Sequence, residues 1–176
     1  MDDQLLRAKK MFTSYHGSTF HMYRKGDFEE YKKFDVQKEM EIEWFKEMID
    51  EYTVELSIRD WTAVHNLELI ASNYQDKMIL ENVISFAARH LMSADSIVKL
   101  MYAERIIEII NKTKKNISKE LLHKSYKTTV IILEDIISKP LIIDPGHELN
   151  NYDLVDKRSL NNRAKRSIEV IKNDLH

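Results

Sequence analysis

The segment Tyr15-His16-Gly17-Ser18-Thr19-Phe20-His21-Met22-Tyr23-Arg24-Lys25-Gly26 gathers three aromatics, two imidazoles, two cations and two of the three glycines. Imidazoles titrate near neutrality and can give or take a proton. Aromatics interleaved with cations can stack bases and hold phosphates. Tyr15, His16, Phe20, His21, Tyr23, Arg24 and Lys25 are therefore the expected ligand or partner loop. The competing explanation is structural: Phe20, Met22 and Tyr23 would plug one end of a helical core.

Glu39, Glu43, Glu47, Glu51 and Glu55 repeat every four residues. On a helix they form one acidic ladder, and like charges at this spacing cost about 0.2–0.5 kcal/mol per pair. The ladder is an expected face for a basic partner, unless it is simply solvated with relief from Lys38 and Lys46. It is a poor general acid, because an exposed carboxylate is not desolvated enough to raise its pKa. Lys157, Arg158, Arg163, Lys165 and Arg166 form a basic counterpart, and Lys112, Lys114, Lys115 and Lys119 a second basic cluster. Both suit an anionic partner, although an isoelectric point near 6.4 argues against a dedicated nucleic-acid binder.

Other chemistries have little support. The chain has no cysteine, which excludes disulfides, thiolate metal sites and cysteine nucleophiles. Glu120 and His123 make one E-x-x-H pair, whereas di-iron bundles use two pairs plus further glutamates. His65 and Glu68 stand in the reverse order, and His65 and His90 fall near apolar stripes as candidate interface histidines. There is no G-x-S-x-G elbow, and three glycines are too few for a phosphate-binding loop of the usual kinds. No metal, cofactor or catalytic residue is expected.

The elements that must position these residues are helical. Only 3 glycines and 2 prolines occur in 176 residues, which disfavours a turn-rich β fold. None of them lies between Asp27 and Lys139. Apolar spacings of three and four predict helices over about 2–13, 36–57, 59–74, 77–91, 94–112, 119–138 and 159–174. Ile42, Phe45, Ile49, Tyr52 and Leu56 mark the face of the second, widened by Trp44 and Met48. Ser57-x-x-Asp60 reads as a capping box; Asp76, Ser93 or Asp95, and Ser118 read as further caps. Residues 14–34 read as an irregular loop with Asp27 as a cap, and 139–158 as an irregular linker.

The expected architecture is one all-α domain over 1–176, a compact bundle of six to seven helices. An offset of sixteen residues relates Val64, Leu67, Ile70 and Ala71 to Leu80, Val83, Phe86 and Ala87. That pattern also allows HEAT- or armadillo-like stacking in the middle. Apolar runs are far shorter than the ~18–20 residues of a membrane span, and the N-terminus lacks the pattern of a signal peptide. The expectation is a cytoplasmic protein of bacterial type without membrane contact. Its expected function is non-enzymatic protein–protein interaction. The alternatives are a small-ligand or nucleotide pocket at 15–25 and, last, nucleic-acid binding through the basic clusters. A two-fold homodimer is a further expectation, as the default cover for an exposed apolar stripe.

Overall fold

Six α-helices of this chain start on a side chain that accepts an otherwise unpaired backbone N–H group. Asp2 accepts from Gln4 to open α1 (Asp3–Ser14). Ser18 accepts from His21 to open α2 (Thr19–Lys25), which Gly26 ends in the left-handed conformation. α3 (Phe28–Lys33) and α4 (Lys38–Glu55) follow. After α5 (Thr62–Asn73), Asp76 caps α6 (Lys77–His90), Asp95 caps α7 (Ser96–Thr113) and Ser118 caps α8 (Lys119–Ser138). α9 (Lys157–Asp174) opens on a reciprocal box between Asp156 and Ser159. The computed structural model describes residues 2–175; among them are nine α-helices, three 3₁₀ turns and no strand.

The class is all-α, as the sequence predicts, with more helices than expected. The difference lies in 14–34, which folds into α2 and α3 rather than a loop. At seven and six residues these helices are too short to show a period. The expected Ser57–Asp60 box does not form. Ser57 Oγ accepts from Arg59 N–H and Asp60 Oδ1 from Thr62 N–H, so each serves its own turn. The linker at 139–158 carries a 3₁₀ turn at Leu149–Tyr152, and α9 starts two residues earlier than expected.

α4 packs on α1, α5 and α6, and α7 is surrounded by α5, α6, α8 and α9. The related stretches of α5 and α6 turn Val64, Leu67, Ile70, Ala71, Leu80, Val83 and Ala87 into this core, with Phe86 half-buried. On α4 the buried face centres on Trp44, Phe45, Met48 and Ile49, while Ile42 and Tyr52 are only half-buried. Phe12 of α1 packs edge-on against Phe45 at 4.9 Å between ring centres, and Phe45 stacks on Tyr74 at 4.9 Å. Among the described residues no helix is long and apolar enough to cross a membrane.

Burial of α7 places a lysine in the core. Lys99 Nζ donates to Asp135 Oδ2 of α8 at 2.7 Å, with both side chains under one-tenth exposed. Lys139 reaches the other oxygen, Oδ1, at 2.5 Å. Burial pushes the Asp135 carboxyl up, but the bonds from Lys139 and Lys99 outweigh it and hold the pKa below the usual 3.8. Removing one partner strands the other charge, so Asp135→Ala should cost about 3–5 kcal/mol, read as a lowered urea midpoint. Because the folded pKa is depressed, Asp135 stabilises fully above the ordinary carboxylate value and this contribution is lost as pH falls below it. Wild-type stability should therefore drop more steeply than that of Asp135→Ala below about pH 4.

Candidate functional site

The 15–25 segment is organised by a sharp reversal after α1. His16 and Gly17 both have positive φ, 52° and 76°. Gly17 N–H donates to Phe12 O at 2.9 Å, and a Cβ at Gly17 would lie 2.1 Å from Phe45 Cε1. Only glycine fits there without moving the aromatic cluster. The turn delivers His16 to α5, which holds it at two points. Asn73 Nδ2 donates to the His16 carbonyl at 2.9 Å, and Asn66 Oδ1 lies 3.1 Å from His16 Nε2. Burial lowers the pKa of His16 below the usual 6.5, partly offset by the Asn66 contact, and His65 lowers it further. His16 is thus a neutral imidazole at physiological pH.

Four of the seven expected loop residues converge. Tyr15, His16, His21 and Lys25 line a cavity of about 290 Å³ with Ser72 and Asn73 of α5. The lining residues include no carboxylate; Asp27, outside the lining, accepts the Tyr15 hydroxyl and raises that phenol's pKa. The other three residues point elsewhere. Phe20 and Tyr23 are 62% and 71% exposed, and the Arg24 guanidinium sits 5.7 Å over the Phe20 ring. Met22 alone of the apolar trio fills the core.

The acidic ladder lies on the solvent side of α4. Glu39, Glu43, Glu51 and Glu55 are exposed, and among the described residues none of them enters an ion pair. Glu47, half-buried, is bound by Lys9 of α1. Val54 stands on this face, 86% exposed.

Two of the five basic-face residues are used inside the fold. Arg163 grips Glu104 of α7 with two parallel bonds of 2.6 Å, Nε to Oε2 and Nη2 to Oε1, and Nη1 donates to Tyr152 O at 2.9 Å. Lys157 Nζ donates to Ile136 O. Arg158, Lys165 and Arg166 remain exposed. Of the second cluster, Lys112 approaches Glu68 and Lys114 binds Asp174. Neither expected interface histidine is buried: His90 and His65 are exposed, and His65 Nδ1 lies 3.4 Å from Glu68.

One constellation has no counterpart in the sequence-based expectations. The Asp95 side chain is fully buried at the start of α7. Its Oδ1 accepts Val98 N–H at 2.7 Å, and its Oδ2 accepts Asp144 N–H at 2.9 Å and lies 2.7 Å from His147 Nδ1. Trp61 packs against the His147 ring at 5.4 Å. Asp95, Asp144 and His147 could offer ligand atoms within 4.8 Å of one another. The Asp95 oxygens are already occupied by these donors, so the group works as a latch that fastens the 140–148 segment over α7. Asp95 is visible in the sequence as a helix cap, but His147 lies 52 residues away and carries no local signal of the pairing.

Compared with known protein families, with characterised proteins and with solved structures, the chain matches none.

Gly17→Ala should lower stability by at least about 2 kcal/mol, because it combines left-handed strain with overpacking against Phe45. Thermal unfolding checks this. By histidine NMR, His16 should titrate below 6.5. Its depressed pKa means its contribution to stability is full above that value and is lost on acidification.

Proposed function

We infer that this chain is a non-enzymatic protein-interaction module whose acidic α4 face receives a basic segment of a partner protein. The observation that carries this is the unneutralised ladder: Glu39, Glu43, Glu51 and Glu55 stand exposed on one helix without ion pairs among the described residues. Their mutual repulsion costs about 0.2–0.5 kcal/mol per pair and would be relieved by a bound cationic surface. Val54 gives that face an apolar contact amid the charges. A photo-crosslinking side chain at Val54 should trap a defined partner in cells. Glu43→Lys combined with Glu51→Lys should abolish the product without lowering the thermal midpoint, since it removes like-charge pairs. An unchanged product in the reversed variant, or none from the wild-type face, would count against this function.

A second function is supported by the convergence of Tyr15, His16, His21 and Lys25 on one cavity. Its polar lining is neutral or cationic, which suits a small anionic ligand. About 290 Å³ is at the lower end of small-molecule sites, so the ligand would be compact. Inorganic phosphate is a sufficient first probe. It should shift the His21 resonances, and Lys25→Ala should weaken the effect several-fold; no shift at millimolar phosphate counts against the pocket.

A further inference from the structure

α8 lies against α7, α9 and α6, which leaves one stripe of it outward. That stripe is Lys124, Lys127, Ile131, Glu134 and Ser138, all exposed and spaced by three and four residues. Ile131 is 48% exposed at its centre. Beside it a trough of about 430 Å³ runs between α8 and α9, walled by Tyr126, Val130, Ile171 and Leu175. Leu175 is itself 50% exposed. Among the described residues Lys124, Lys127 and Glu134 make no ion pair within the chain.

The order of charges along this stripe is self-complementary. Positions 127 and 134 lie at equal distances from the midpoint of Val130 and Ile131. A second α8 laid antiparallel across that midpoint brings each Lys127 against the other copy's Glu134. It also brings each Ile131 against the other copy's Val130, beside the trough. Lys124 then faces the neutral Ile137–Ser138 end. A parallel arrangement would set Lys127 against Lys127. We propose that this face is a two-fold dimerisation surface whose partner is a second copy of this chain.

Knob and trough lie on the same face, as an isologous interface requires. The net charge of −2 gives little overall repulsion between copies. Size sets the strength. α8 has 20 residues. At 1.5 Å per residue and about 10 Å in width, such a helix offers roughly 300 Å² of face. A standard interface uses about 800 Å² per partner, so the association is weak and concentration-dependent. The surface is separate from the α4 ladder, and its test is independent of that function.

Sedimentation equilibrium of the full chain from about 10 to about 500 μM at low salt covers the range expected of a small interface. The mean mass should rise from 20.9 kDa towards twice that value. Lys127→Glu alone and Glu134→Lys alone should each weaken dimerisation at least about tenfold, because each sets like charges opposite each other. An equimolar mixture of the two variants should restore it, since their heterodimer re-forms both ion pairs. Ile131→Asp should leave only monomer, with thermal midpoints confirming that every variant is folded. A constant 20.9 kDa across the range would overturn the proposal, as would a dimer indifferent to Ile131→Asp or a mixture no stronger than its components.

Discussion

α7 is buried all round over its first eight residues and gives water only a narrow face in its C-terminal half, at Glu108 and Asn111. Of its 18 residues, 13 are buried, and they run round the whole circumference. A helix apolar on all sides must be surrounded. α5, α6, α8 and α9 supply that cover, and their own apolar stripes follow from it. The polar groups carried into the interior by α7 then dictate long-range bonds. Ser96 exchanges two hydrogen bonds with the Ile142 backbone, at 2.8 and 3.1 Å. The Tyr102 hydroxyl donates to Ser57 O at 2.9 Å, and burial pushes its pKa up to about 12. Arg105 reaches buried Glu68 at 2.8 Å. Each bond fastens a different part of the chain to the same central helix.

This dependence explains what was legible in the sequence. α4 to α9 were visible because each spans enough turns for its apolar spacing to repeat; Asp76 and Ser118 announced two starts, and of the pair Ser93 or Asp95 it is Asp95 that caps α7. α2 and α3 were not, since one or two turns give no period; their only signals are Ser18, Gly26 and Asp27. The Ser57–Asp60 spacing matched a capping box, yet both side chains are taken by nearer N–H groups. Cap residues are thus reliable about where a helix can start and weaker about which N–H they will serve.

For the candidate sites, composition located the segments but not the pairings. Tyr15, His16, His21 and Lys25 meet because two left-handed residues turn the chain and two asparagines on α5 receive it. No local pattern encodes Asn66 or Asn73 as those receivers. Arg163 looked like a surface charge because its position on α9 is polar by pattern. Its partner Glu104 lies 59 residues earlier, on α7, and no local pattern links the two. The same logic hid His147, whose role depends on a buried Asp95.

Internal pairing also decides which charged surfaces remain for binding. Basic groups that touch the central packing are drawn inward: Lys99, Lys112, Lys114, Lys157 and Arg163 all have partners on other elements or in the linker. The acidic ladder of α4 faces away from the core, and among the described residues its one ion pair is with Lys9. The sequence alternates acidic and basic blocks as though they would neutralise one another. Packing around α7 decides which charges pair: Lys99, Lys112 and Arg163 are matched with Asp135, Glu68 and Glu104, and the α4 carboxylates lie outside that network. Acidic charge therefore stays exposed on α4 at Glu39, Glu43, Glu51 and Glu55, and basic charge on α9 at Arg158, Lys165 and Arg166, so the two signs occupy separate helices instead of cancelling.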